Sequence, residues 1–277
     1  MFKLGRIFFL ALFALGNFLA VAAETTPESP FIVKAWDTSS GSLREKLPSG
    51  VVISVFQTRD GYLWLGTLNG LVRFDGDRFT VFDENNTPGL PSGRIVFLFE
   101  DSRGWLWAGT DGGGVAVIHD GVVGSLLFGA GSSGGKVMSA CEDGEGGVWF
   151  YTADGRVGRF FGDGLTVLGT IQPSFRRLLM ADAAGHIWMG NDHEQFPINL
   201  AMTTNGVGLA RGAGLNAGAL DFLLASRSGG FWRLADGRIE KWGTNQLERV
   251  LANYAAVFIF TIKPIKITRK RPIEPNI

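Results

Sequence analysis

The stretch DGYLWLGT at residues 60–67 recurs as RGWLWAGT at residues 103–110. Looser copies follow: GGVWFYT at 146–152, GHIWMG at 185–190 and GGFWRL at 229–234. Aligning them puts Trp64, Trp107, Trp149, Trp188 and Trp232 in one column, at spacings of 43, 42, 39 and 44 residues. A near-constant period in this range marks a repeat architecture. A glycine stands three residues before each tryptophan (Gly61, Gly104, Gly146, Gly185, Gly229), and an apolar residue stands immediately before it.

Upstream, VVISVFQ, RIVFLFED, KVMSACED, FRRLLMAD and LDFLLAS are short β-prone runs. Phe56, Phe99, Cys141, Met180 and Leu224 lie eight residues before their tryptophans. A strand, a glycine-marked turn and a tryptophan-bearing strand make a hairpin. In repeat one GLVRFDG and FTVF add two more strands, and four strands per repeat is the composition of a propeller blade. The fold is therefore expected to be all-β, a β-propeller of four-stranded blades with about five blades. The fourth repeat keeps its first hairpin, but residues 191–215 read as irregular and glycine-rich. FIVKAW at 31–36 resembles FTVF and is expected to complete the last unit, closing a ring.

The ends bound the domain. Lys3 and Arg6 precede an apolar stretch from Ile7, and Ala20, Ala22 and Ala23 precede the polar ETTPESP. Residues 1–23 read as a secretory signal peptide, with an uncleaved anchor as the alternative; either puts the body outside the cytoplasm, a periplasmic or otherwise extracytoplasmic location. Residues 24–30 are a linker, 31–251 the propeller repeats, and 252–277 an off-pattern basic tail. Formal charge is zero over the chain, but without the signal and the tail from Lys263 there are 19 basic and 25 acidic residues. That net negative body excludes nucleic acid as a partner, since phosphates demand a basic stripe.

The chemical motifs are few. Cys141 is the only cysteine, and its column predicts a buried apolar role rather than a reactive thiol. Asp-Gly turns recur at residues 60, 75, 120, 143 and 163, without the twelve-residue calcium-loop pattern. His119, His186 and His193 do not stand at metal-ligand spacing. No catalytic residue, metal or cofactor is assigned. The five tryptophans are read as inter-blade core, with sugar stacking as the alternative. Tyr62 and Trp105, at the turns, are the candidate ligand-contacting aromatics.

The series Leu-Pro, strand, E-D-x-x-G-x-LW-x-GT and GL-x-RFDG resembles the two-component-regulator propeller repeat, closely over residues 90–121 and nearly so over 47–82. The resemblance implies a seven-bladed propeller exported as the extracytoplasmic sensor of a hybrid histidine kinase, with glycans among the sensed ligands. Against that plan five blades form a partial or open propeller, and a truncated sensor is expected, its C-terminal signalling domains missing. The functional expectation is a non-enzymatic ligand-sensing module for an unknown small ligand, such as a glycan. A propeller polysaccharide lyase or hydrolase and a protein-binding scaffold are the alternatives. Open propeller edges would favour self-association.

Overall fold

The computed structural model describes residues 47–128, 135–172, 174–204, 206–216, 220–243 and 246–253, all in the compact unit Trp36–Ile277. The signal, the linker, FIVKAW and most of the basic tail lie outside the described residues. Among the described residues there is no helix; there are five antiparallel sheets.

Blade A is β1 (Val52–Gln57), β2 (Leu63–Thr67), β3 (Gly70–Phe74) and β4 (Phe79–Phe82). Blade B is β5 (Ile95–Glu100), β6 (Leu106–Thr110), β7 (Val115–His119) and β8 (Val122–Leu126). Blade C is β9 (Val137–Glu142), β10 (Val148–Thr152), β11 (Arg156–Phe161) and β12 (Gly164–Thr170). Blade D is β13 (Leu178–Ala181), β14 (Ile187–Gly190), β15 (Glu194–Thr203) and β16 (Gly206–Arg211), with β17 (Leu215–Asn216) also pairing β15. Blade E is β18 (Leu220–Ala225), β19 (Phe231–Ala235), β20 (Arg238–Trp242) and β21 (Leu247–Asn253). The five four-stranded blades form a β-propeller.

The sequence spacings have direct structural meaning. The eight-residue offset makes Phe56, Phe99, Cys141, Met180 and Leu224 the direct cross-strand partners of Trp64, Trp107, Trp149, Trp188 and Trp232. The glycine three residues before each tryptophan sits at φ between 82° and 92°, a left-handed turn position that glycine alone adopts without strain. Asp120 and Asp236 also have positive φ, each followed by a glycine of the same hand. Two such residues in succession are a type I′ turn, which matches the twist of the hairpins they close.

Side chains of neighbouring blades interlock in sequence order. Trp64 packs into the A–B cluster, Trp107 into B–C, Trp149 into C–D and Trp188 into D–E. Those four are buried, whereas Trp232, on the far face of blade E, is half-buried. Burying an indole removes roughly 150–250 Å² from water. At about 25 cal/mol/Å² that contributes on the order of 4–6 kcal/mol per repeat, before the opposing chain entropy.

The glycine of the GT pair explains how closely blades approach. A Cβ on Gly66 would lie 2.9 Å from Ile95 Cγ2, one on Gly109 3.0 Å from the Val137 carbonyl, and one on Gly190 2.6 Å from Leu220 Cδ2. Ile95, Val137 and Leu220 each open the innermost strand of the next blade, so this column sets the inter-blade distance. Blade C departs from it with Tyr151.

One sequence expectation is corrected. Residues 191–215 are not irregular throughout: β15, at 10 residues the longest described strand, pairs with β16 from Ile198 to Thr203. Blade E carries its own fourth strand, β21, ending at Asn253; FIVKAW, expected to close the ring, lies outside the described residues.

Candidate functional site

Each innermost strand pairs on one side only, with the second strand of its own blade. Its other edge faces the propeller axis. There the strands β1, β5, β9, β13 and β18 bound a single cavity of about 370 Å³, lined by residues 53–57, 96–99, 139–141, 178–181 and 222–225. Four of these strands carry a β-bulge near their first residue, at Ile53, Val96, Met138 and Asp221, where the pairing register skips one position. A bulge increases local twist and bends the strand, letting successive blades turn around a shared axis.

The lining is chemically neutral. Aliphatic and aromatic side chains dominate, Ser54, Gln57 and Ser139 add hydrogen-bonding groups, and no Asp, Glu, His, Lys or Arg is among the lining residues. Ser139 Oγ accepts the Leu179 N–H at 3.0 Å, bridging the innermost strands of blades C and D. Cys141 also belongs to the lining, but it is buried within the C–D core, where burial pushes its thiol pKa far up and keeps it protonated. Such a cavity can enclose a small uncharged molecule and offer it neutral donors and acceptors.

Charges gather where the innermost strands begin. Asp111, after β6, receives Arg94 at 3.3 Å from its own blade and Lys136 at 3.1 Å from blade C. The hydrogen bond from Lys136 holds its carboxyl below the usual carboxylate range. Asp192 accepts the backbone N–H groups of Phe175 and Arg176 at 2.7 Å, while Arg176 reaches across to Asp221 at 2.5 Å. The pairs Lys136–Asp111 and Arg176–Asp221 tie blade B to C and D to E, while Asp192 holds the entry to β13 within blade D.

At the opposite end the tryptophan-strand turns show a second regularity, absent from the sequence expectations. The residue six before each buried tryptophan accepts its indole N–H. The bonds are Trp64 to Thr58 Oγ1 at 3.2 Å, Trp107 to Asp101 Oδ2 at 3.0 Å, Trp149 to Asp143 Oδ2 at 2.7 Å and Trp188 to Asp182 Oδ2 at 3.2 Å. In the three aspartates the other oxygen accepts two backbone N–H groups of the turn, at residues two and four further on. One carboxylate thus fixes turn and indole together. The aspartate was visible in the E-D-x-x-G series; its bond to the indole was not. The preceding glutamate acts between blades: Glu100 accepts the Arg59 N–H, and Glu142 the Ser102 N–H at 2.7 Å.

Tyr62 and Trp105 stand at these turns, away from the axial cavity. The Tyr62 ring is half-buried under the Arg73 guanidinium, 4.6 Å from its centroid. Trp105 is half-buried, stacked on His119 at 4.4 Å and 12° with Arg103 at 4.2 Å, and packs on the B–C core. Their rings are engaged by neighbouring side chains, Tyr62 by Arg73 and Trp105 by His119, Arg103 and Phe160. His186 lies 3.2 Å from Asp182, and His193 is exposed elsewhere. Among the described residues no three His, Cys, Asp or Glu side chains gather as a metal site.

Residues 46–69 and 89–112 match the sequence profile of the family described as two component regulator propeller. These two segments are similar to that repeat. The matched propeller repeats are those of blades A and B, spanning the Leu-Pro entry, the innermost strand and the tryptophan strand. No curated protein matches the sequence. Among solved structures, virginiamycin B lyase from Staphylococcus aureus is similar at 13% identity and a TM-score of 0.55, over 71% of this chain and 68% of that one. A streptogramin B lyase gives 17% and 0.56, over 74% and 70%. A structure described as the extracellular domain of a hybrid two component system from B. thetaiotaomicron gives 17% and 0.54, over 73% of this chain and 30% of that one. At these identities the likeness shows the fold.

Proposed function

We propose that this propeller is the ligand-sensing module of a two-component signalling system, displayed outside the cytoplasm and non-catalytic by itself. The observation that carries the reading is the axial cavity: it is walled by all five blades, and its lining residues hold no acid–base pair. General acid–base chemistry requires a positioned titratable group within hydrogen-bond reach of substrate. A binding site needs only enclosure and a few placed polar groups, and the repeat family supports a sensing context. The ligand would be a small neutral molecule, a glycan unit among them, and its occupancy would change how the innermost strands pack. A histidine kinase domain would read that change. Residues 1–23 would serve as the export signal.

The test is calorimetric titration of the purified chain with a panel of neutral mono- and oligosaccharides, beside the variant Val96→Trp, which fills the cavity from the bulge of β5. Expected is binding by the native chain that the variant loses while staying folded. Turnover of a polysaccharide or streptogramin substrate by the native chain would instead establish an enzyme. Alkaline phosphatase fused to the end of the full chain checks the location, with activity outside the cytoplasm expected.

A further inference from the structure

The hairpin of blade D is unlike the other four. β14 pairs with β15 only as far as Ile187 opposite Ile198, yet β15 continues to Thr203, paired with β16 down to Gly206. The final five residues of β15 therefore project past the rest of the sheet, roughly 17 Å at about 3.4 Å per residue. No residue from Asn199 to Ala210 carries a charge. Leu200, Met202 and Val207 are 40%, 84% and 45% exposed. They share one face of the hairpin, because Leu200 is opposite Leu209 and Met202 opposite Val207.

The register decides which backbone groups are free. Thr203 and Gly206 close a two-residue loop, so they form a hydrogen-bonded pair, as do the alternate pairs Ala201 with Gly208 and Asn199 with Ala210. The N–H and C=O of Leu200 and Met202 then point to the opposite side, in line with those of Phe196 and Ile198, which face β14. Beyond Ile187 no described strand occupies that side. Natural proteins protect such edges with charge, proline or a covering element. This one has none of these among the described residues.

We propose that the projecting edge of β15 pairs with the same edge of a second copy of the chain, joining two propellers arm to arm. The argument for this occupant is self-complementarity. A two-fold axis at Ala201 places Leu200 opposite Met202 of the other copy and Met202 opposite its Leu200. Both are the residues whose backbone groups point outward, so each pair exchanges two hydrogen bonds, four in all. The same operation puts both copies of Leu200, Met202 and Val207 on one face of a continuous four-stranded ribbon. An uncharged edge gives a heterologous acidic or basic partner nothing to recognise. The contact is smaller than the standard interface of about 1,600 Å², so the dimer is expected to be weak and concentration-dependent. Two sensing propellers would then be coupled through blade D.

Sedimentation velocity of the full chain across a concentration series tests this, beside the double variant Leu200→Lys, Met202→Lys and the single variant Ala201→Cys. Expected is a reversible monomer–dimer equilibrium that the lysine variant weakens by at least about tenfold with an unchanged circular dichroism spectrum. Under mild oxidation Ala201→Cys should give a disulfide-linked dimer, since the pair across the axis is a close, non-hydrogen-bonded one and native Cys141 is buried. A chain that stays monomeric at all concentrations, a dimer indifferent to the two lysines, or an Ala201→Cys variant that does not cross-link would each overturn the proposal.

Discussion

Replacing Asp143 by alanine tests whether one carboxylate holds turn, indole and neighbouring strand together. Its Oδ1 accepts the N–H groups of Glu145 at 2.9 Å and Gly147 at 2.8 Å; its Oδ2 accepts Trp149 Nε1 and Arg159 Nε, both at 2.7 Å. Burial pushes its pKa up, but the bonds from Arg159, Trp149 and the two backbone amides outweigh that and hold it below the usual range. Removing the side chain leaves an indole N–H in the C–D interface without its acceptor, at about 1–3 kcal/mol. It also strips Arg159, whose side chain is 9% exposed, of its buried partner, leaving only Glu145, which is 72% exposed. Breaking a buried pair costs about 3–5 kcal/mol, and the two effects overlap, so about 3–5 kcal/mol is expected in total. Asp143→Asn keeps an oxygen to cap the turn but sets an NH2 donor against Trp149 and Arg159 and removes the buried charge, so it too is expected to cost about 3–5 kcal/mol. Urea unfolding followed by tryptophan fluorescence measures both. Ser226→Ala, at the same column in blade E, is the comparison. An Asp143→Ala variant within about 0.5 kcal/mol of native, or no worse than Ser226→Ala, would show that the column does not carry the load assigned to it.

Gly66→Ala is expected to cost about 1–3 kcal/mol by forcing a methyl against Ile95. Gly104→Ala, where no atom lies within 4 Å of the new Cβ but φ is +86°, should cost about 1 kcal/mol from backbone strain alone; combining each with Ile95→Ala, which removes the Cγ2 that the Gly66 methyl would meet, separates them, since only the Gly66 effect should couple. Cys141 should be inert to a thiol reagent in the native chain and react once the chain is unfolded in urea, because burial keeps it protonated. The folded-state pKa values of Asp143 and Asp182 are depressed, so their stabilisation is present above the unfolded value of about 3.9 and is lost as pH falls through the folded values. Urea midpoints should therefore hold steady from neutrality to about pH 5 and fall below about pH 4, less steeply in Asp143→Asn.

The blade was legible because packing imposes it on every copy. An indole between sheets and a left-handed turn each need one residue type, so the tryptophan and the turn glycine recur in every repeat, and the close-approach glycine recurs in blades A, B and D. The indole bond was not legible because three aspartates, a threonine and a serine share its column, and a reading keyed to identity does not see a shared acceptor. The β15–β16 arm was missed for another reason. Its strands contain Gly206, Gly208 and Pro197, which read as breakers, and the loop residues Thr204 and Asn205 are not the Asn-Gly pair at the loop centre that signals a hairpin. The axial cavity had no sequence signal, because it is lined by strand edges, and which edge is left unpaired is a property of topology.

The departures from the repeat carry most of the information about function. What every blade shares is needed to stack one sheet on the next, and it would be present whatever the protein bound. Blade C replaces the close-approach glycine with Tyr151, which is fully buried, and burial raises its pKa. Blade D lengthens its outer hairpin into an uncharged arm. Blade E leaves Trp232 half-buried, with Lys241 and Arg249 near its ring. Sequences tend to break their own local rules where a site or an interface must be built. Randomising the shared columns should therefore change stability, whereas altering the axial lining or the arm should change binding or assembly with stability nearly intact. A library in which stability and binding are lost at the same positions would contradict that division.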